Sequence, residues 1–163
     1  MAAQIITQEY LHEIFDYKDG VLYWKKSGKG RIKSLIVGGP DKDGYIQVSI
    51  NHKKYKAHRL IFMMFHGFLP KMIDHIDGNP SNNRIENLRE STHLQNQYNR
   101  KIAKNNTSGY KNVRWSKKDK RWTVIIKVCG KNTYIGQFKD LELADLVAQE
   151  ARDKYHKEFA RHV

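Results

Sequence analysis

Residues 74–100, DHIDGNPSNNRIENLRESTHLQNQYNR, decide how this chain is read. Asp74 and His75 stand side by side, followed by a loop crowded with Gly and Asn, then Asn87, then Asn96. Residues 72–75 read as the end of a short strand, 76–84 as a loop and 85–90 as the returning strand. Within the loop, Asp77-Gly78-Asn79-Pro80 is strong turn chemistry, because Gly and Asn tolerate positive φ and Pro fixes its own. Ser91 or Thr92 is placed to cap a helix running to about Lys104. Leu94, Tyr98 and Ile102 recur every four residues and form its expected buried stripe. Asn96 lies two residues after Leu94, so it faces away from that stripe and toward the strand carrying Asp74.

This order of residues resembles the HNH nuclease motif, a ββα unit that grips one divalent metal against a scissile phosphate. The resemblance implies that Asp74 and Asn96 are metal ligands, that His75 is the general base, and that Asn87 holds the loop in shape through its amide. The residue types suit that chemistry. A phosphodiester is anionic and resists attack, so its hydrolysis needs an activated water and a cation to absorb charge on the leaving oxygen. A neutral His can take the proton of a water near pH 7. A carboxylate and an amide oxygen suit one hard divalent ion, Mg²⁺ or Mn²⁺. The last motif position is Asn rather than His, as in one branch of the family. That leaves two protein ligands and implies weak affinity for free metal. A DH dipeptide or an Asn-rich loop alone means little; their conjunction carries the resemblance. It follows an apolar run, 57–65, which opens with Ala57-His58-Arg59-Leu60 and is closed by Gly67 and Pro70. His58, at the start of that apolar helix, reads as structural. For His93, at the beginning of the motif helix, a phosphate contact and simple exposure are both open.

The second informative stretch is 108–160, with SGYKNVRW, then KRWTVIIKVCGKNTYIGQF, then a helix ending in YHKEFA. Segments 111–116, 121–128 and 132–138 alternate or run apolar, with turns at 117–120 and 129–131, which predicts a three-stranded antiparallel meander. Asp140 caps a helix whose apolar face is Ala144, Val147, Ala148, Ala151 and Tyr155. That helix is expected behind the sheet, against Trp122, Val124, Ile126, Ile135 and Phe138. The opposite face then carries Arg114, Ser116, Arg121, Thr123, Ile125, Lys127, Asn132 and Tyr134. The stretch resembles the AP2 DNA-binding domain over nearly its whole length, a family that lays a basic, aromatic sheet face in the major groove. The resemblance implies DNA contacts from Arg114, Ser116, Lys117, Lys118, Arg121, Thr123, Lys127, Asn132 and Tyr134. Two departures limit it. Lys111, Ser116 and Asn132 stand at positions where a bidentate Arg would read bases more stringently, and Lys157 replaces the Gly expected after His156. Modest sequence preference and a large phosphate contribution follow.

Charge supports the placement. Residues 101–139 hold eleven Lys and Arg against the single acid Asp119, a net of +10, whereas 140–163 hold four basic and six acidic residues, a net of −2. A charge run is usually a solvated face, but here it interleaves with Trp115, Trp122 and Tyr134. At 163 residues the chain suffices for two small domains. A net charge of +13 and a pI near 9.8 point to a polyanionic partner. No segment approaches the ~18 apolar residues of a membrane span, and MAAQIITQEYLHEIF, with Glu9 and Glu13, has no signal-peptide pattern. The lone Cys129 leaves no intrachain disulfide and no Cys₄ zinc clamp, and reads as a strand-end residue in a reducing cytosol.

Residues 1–57 are less specific. Residues 7–15 read as a short helix, Asp19-Gly20 as a hairpin turn, and 45–50 as pairing with 54–57 across 51–53. Lys25, Lys26, Lys29, Arg31 and Lys33 lie in a Gly- and Ser-containing connection that either clamps a DNA backbone or stays solvated. The stretch resembles the N-terminal part of phage-type HNH endonucleases. KNNTS, at 104–108, is the linker candidate.

The expectation is an α+β protein. An N-terminal HNH (ββα-metal) nuclease domain, 1–104, precedes an AP2-like three-stranded antiparallel sheet packed on one helix, 105–163. The combination resembles a free-standing homing endonuclease of phage origin. It implies a metal-dependent enzyme acting on double-stranded DNA in the host cytoplasm, as a monomer or weak dimer with no membrane partner, nicking one strand. The rival is a non-catalytic DNA-binding regulator carrying a relic HNH unit.

Overall fold

The computed structural model describes residues 6–25 and 36–163, in two compact units that divide between Ser91 and Thr92. The boundary expected from the sequence is 104/105, beyond the α3 segment that groups with the second unit. Lys26, Lys29, Arg31 and Lys33 lie outside the described residues; the flanking Lys25 sits 3.6 Å from Asp16, with both side chains well exposed.

In the first unit, helix α1 (Gln8–Ile14) begins where the Thr7 side chain accepts from Tyr10 N. Strands β1 (Phe15–Lys18) and β2 (Val21–Trp24) pair antiparallel across Asp19 and Gly20, both at positive φ. Strand β3 (Gly39–Pro40) pairs with β4 (Ile46–Ile50), and β4 with β5 (Lys53–Lys56). The turn between the last two uses Asn51 and His52, again at positive φ, the tight geometry that matches strand twist. Helix α2 (Ala57–His66) stops at Gly67, whose φ of 74° is the left-handed cap that glycine adopts without strain. Leu11, Phe15, Leu22, Val48, Leu60 and Ile61 are among the buried residues of one core. Strands β6 (Ile73–His75) and β7 (Leu88–Glu90) pair antiparallel, joined by a loop that ends in a 3₁₀ turn at Ile85–Asn87.

In the second unit, helix α3 (His93–Tyr98) starts with a full capping box. The Thr92 side chain accepts from Gln95 N while Gln95 Oε1 accepts from Thr92 N. It ends at Asn99 instead of reaching Lys104. The carbonyl of Tyr98, which a longer helix would have used, accepts from Lys111 Nζ at 2.8 Å. Strands β8 (Val113–Ser116), β9 (Arg121–Val128) and β10 (Lys131–Phe138) form an antiparallel sheet with β9 central, and helix α4 (Leu141–His156) packs on it. Asp140 caps α4 by accepting from Leu143 N. Val113, Val124, Ala144 and Ala148 form the centre of this core, with Trp122, Ile135 and Phe138 against it.

The buried face of α4 differs from the expected one. Tyr155 is 42% exposed, and Arg152 and His156 are buried with Ala144, Ala148 and Ala151. Arg152 is fully buried because it is satisfied: Nη1 donates to Lys111 O at 2.6 Å and to Asn112 Oδ1 at 3.4 Å, and Asp145 lies 3.9 Å away. Among the described residues no helix is long and apolar enough to cross a membrane.

Candidate active site

Strands of three residues give little pairing of their own, so the β6–β7 pair depends on side chains. The register puts Asp74 opposite Arg89. Arg89 Nε and Nη2 both donate to Asp74 Oδ2, at 3.0 and 2.8 Å, which fixes the orientation of a carboxylate only 5% exposed. His75 is equally enclosed at 6% exposure, and its Nε2 lies 3.0 Å from Asn83 Oδ1. An amide oxygen only accepts, so Nε2 carries the hydrogen and Nδ1 holds the basic lone pair.

The loop between the strands is held by its own amides. Asn87 is buried; its Nδ2 donates to Asp77 Oδ1 at 3.0 Å and to Asn82 O at 2.7 Å, while its Oδ1 accepts from Asp77 N at 3.0 Å. Asp77 also accepts from Asn79 N and from Asn82 Nδ2, and these bonds hold its carboxyl below the usual range against the opposing effect of burial. The rest of the first unit braces this loop. Tyr17 Oη accepts from Ile85 N at 3.0 Å, and Ser81 Oγ donates to Gly44 O at 2.6 Å. Gly20 lies so close to the loop that a Cβ there would sit 2.7 Å from Arg84 N.

The ring of His58 meets that of His75 edge-on, at 5.0 Å, and Tyr45 contacts both. Burial first, then the charges of His75, Arg59 and Lys56, pushes the His58 imidazole down to about 3. His58 is therefore neutral packing beside His75, and its Nδ1 is buried with no hydrogen-bond partner.

Asn96 lies in α3 and is partly buried; His93, at the start of that helix, is exposed and accepts from Gln97 Nε2 at 2.7 Å. Among the described residues no three His, Cys, Asp or Glu side chains converge on a metal position. The expected donor set holds a single carboxylate, and its chemistry, one carboxylate and one amide oxygen, fits a hard divalent ion that keeps waters as its other ligands.

On the sheet, the register places Arg114 opposite Thr123, Ser116 opposite Arg121, Asn132 opposite Lys127 and Tyr134 opposite Ile125. These residues therefore share the face turned from the Val124 and Ala144 core. Arg114, Arg121, Lys127, Asn132 and Tyr134 are exposed, as are Lys117 and Lys118 in the β8–β9 turn. Thr123 is buried, and its hydroxyl accepts from Gln137 Nε2 at 3.3 Å. Ser116 Oγ donates to Asp119 Oδ2 at 2.7 Å, which closes the turn. Lys111 is not on this face, since its ammonium meets the Tyr98 carbonyl.

Arg89, Asn83, Tyr45 and His58 surround the motif pair, and sequence reasoning assigned none of them a role there. Antiparallel register counted from a loop of 76–84 would pair position 74 with 86; the 3₁₀ turn at Ile85–Asn87 shifts the partner to Arg89, so the sequence carries no signal for it.

The model of the family described as HNH endonuclease matches residues 55–98. The chain is 36% identical over 114 residues to Protein 3.8 of Escherichia phage T7, covering 68% of this chain and 92% of that protein. It is 34% identical over 79 residues to the SPbeta prophage-derived protein YosQ of Bacillus subtilis (strain 168), covering 47% of this chain and 46% of that protein. The name of that relative carries HNH homing endonuclease as a provisional description. No solved structure matches the chain.

Proposed function

The chain belongs to the family of phage T7 Protein 3.8 and carries an HNH endonuclease domain, and on that premise we propose that it is a metal-dependent DNA endonuclease of the free-standing homing type. The observation that carries the reading is the enclosed pair Asp74 and His75, with Arg89 donating twice to the carboxylate and Asn83 Oδ1 within hydrogen-bond distance of the imidazole. Such preorganisation is costly for a merely structural hairpin and is what proton transfer at a stated atom requires. His75 Nδ1 takes a proton from the attacking water as the water oxygen bonds to phosphorus and the bond to the leaving oxygen breaks. Asn83 holds the imidazole in the tautomer that permits this. Arg89 holds the Asp74 carboxylate in place, and Asn87 shapes the loop rather than meeting the reacting atoms. Asp74 and Asn96 are the proposed ligands of one Mg²⁺ or Mn²⁺. When bound, the ion supplies charge for the phosphate and leaving oxygens and acidifies water.

The sheet β8–β10 is proposed to bind duplex DNA in the AP2 manner, through Arg114, Lys117, Lys118, Arg121, Lys127, Asn132 and Tyr134. What supports this is one exposed face bearing cations, an amide and an aromatic ring, in a segment with a net charge of +10. One motif makes one centre, so a monomer is expected to nick a single strand, and double-strand cutting needs a dimer or two events. The phage relatives suggest that the reaction takes place in the cytoplasm of a bacterial host. Supercoiled plasmid incubated with Mg²⁺ or Mn²⁺, beside a chelator control, tests the reading. Open circles that appear only with metal support it. Intact plasmid at every metal concentration, with duplex binding retained, favours a DNA-binding regulator with a relic motif.

A further inference from the structure

The second unit concentrates positive charge around one open cavity of ≈ 160 Å³. Arg100, Lys111 and Lys127 line it, together with the amide of Asn112 and the stacked rings of Tyr98 and His156, and no carboxylate does. The stack is close and nearly parallel, with centroids 3.7 Å apart and planes 6° apart. Each cation has little to neutralise it. Lys111 spends one of its three N–H groups on the Tyr98 carbonyl, its one hydrogen-bond partner among the described residues. Burial, followed by the charges of Arg152 and Arg161, pushes its ammonium down to about 8. Lys127 Nζ reaches only the neutral Gln97 Oε1, at 3.3 Å. His156 Nε2 donates to Lys127 O at 2.7 Å, which leaves its Nδ1 buried with no partner. Asn112 Oδ1 accepts from Arg152, so its NH₂ is the end that can donate elsewhere.

A plain structural role accounts for part of this. A lysine that takes the last carbonyl of a helix is a common C-terminal device. That role needs one cation, and it explains neither Arg100 beside it nor the lack of any acid in the lining. Lys111 is partly buried and the nearby charges of Arg152 and Arg161 disfavour its ammonium, a cost that an anion in the cavity would relieve.

We propose that this cavity is a binding site for a single phosphate group, held by Arg100, Lys111 and Lys127 with a hydrogen bond from the Asn112 amide. Lysine and arginine suit a compact tetrahedral oxyanion, the one as a point charge and the other as a fork of donors. The site is built from residues of the second unit alone and shares only Lys127 with the exposed sheet face, so it stands whether or not the nuclease reading does. The phosphate could belong to a DNA backbone or be free in solution.

The test uses the full chain in chelator, titrated with inorganic phosphate against chloride at matched ionic strength, with backbone amide shifts as the readout. Saturable shifts at residues 97–100, 111–112 and 127 with phosphate alone are expected. The double variant Arg100→Ala/Lys127→Ala removes two exposed side chains and should weaken binding at least tenfold, as should Lys111→Met if it folds. Equal shifts with chloride, or unchanged affinity in the double variant, would overturn the site. A second arm measures duplex DNA binding against salt. If the phosphate comes from a DNA backbone, Arg100→Ala alone, which leaves the sheet face intact, lowers the salt slope by about one for the phosphate it no longer neutralises. If inorganic phosphate binds but the slope does not move, the cavity takes free phosphate.

Discussion

The strand pair β6–β7 and the sheet β8–β10 are built to opposite specifications. On β6, Asp74 and His75 are almost sealed from solvent, and Arg89 and Asn83 hold them in place. On β8–β10, Arg114, Arg121, Lys127 and Tyr134 stand in solvent, Tyr134 at 60% exposure, on a scaffold whose register rather than whose side-chain bonds sets their spacing. The difference follows from the work proposed for each. Proton transfer fails when a group moves by an ångström, so its residues need dedicated partners. Attraction to a phosphate backbone is long-ranged and tolerant, so its residues need only share a face. Substitutions in the first region should therefore act through structure and chemistry together, and those in the second through binding alone.

The largest expected effect on stability is at Asn87. Asn87→Ala removes three hydrogen bonds from a buried loop and should cost about 3 kcal/mol, read by urea unfolding, with cleavage falling alongside. A cost near zero would mean that the loop holds its shape without the amide.

Acid should also act on the first region. The folded-state pKa of His58 lies at about 3, below the ordinary ~6.5, so between those values the unfolded chain binds a proton that the folded chain does not. Stability therefore drops as pH falls below about 6.5, by up to ~2 kcal/mol between pH 7 and pH 5 at the limiting slope of ~1.4 kcal/mol per unit. His58→Phe should flatten that slope; an identical slope in the variant would show that other groups set it.

The sheet should behave in the contrary way. Arg114→Ala is expected to weaken duplex binding by about 1–3 kcal/mol if the guanidinium reads a base. It should leave unfolding within about 0.5 kcal/mol of the parent. A fall in stability matching the fall in affinity would erase the contrast between the regions.

The smallest effect lies at the end of α4. Lys157 has φ 52° and ψ −131°, a conformation that only glycine adopts without strain. Lys157→Gly should raise stability by about 1 kcal/mol. An unchanged melting temperature would show that the strain is absorbed elsewhere.

Much of this architecture is legible in the sequence where local chemistry dictates it. Asp19-Gly20 and Asn51-His52 supply the positive φ of their hairpin turns, Gly67 ends α2, and Thr92 and Asp140 cap their helices. The residues that long-range contacts decide are not legible. Ile102 continues the helical period of Leu94 and Tyr98, yet α3 stops at Asn99, where Lys111 takes the carbonyl of Tyr98 from thirteen residues away. Arg152 looks like a surface residue until its partners at Lys111, Asn112 and Asp145 are seen, and Tyr155, expected on the buried face, is exposed. Thr123 alternates correctly onto the open face but is buried there, where its hydroxyl accepts from Gln137. At the motif, the residue types and spacing announce Asp74 and His75. The choice of Asn83 rather than a neighbouring Asn as the partner of His75 depends on the path of the loop.

The most direct test of the central claim is single-turnover cleavage by His75→Ala with saturating Mg²⁺ or Mn²⁺, measured beside duplex affinity in chelator, with Asp74→Asn as a second variant. If His75 activates water, cleavage falls by about 10²–10⁴-fold, the usual contribution of a general base, while affinity is unchanged. Parental cleavage rates in His75→Ala would contradict the account.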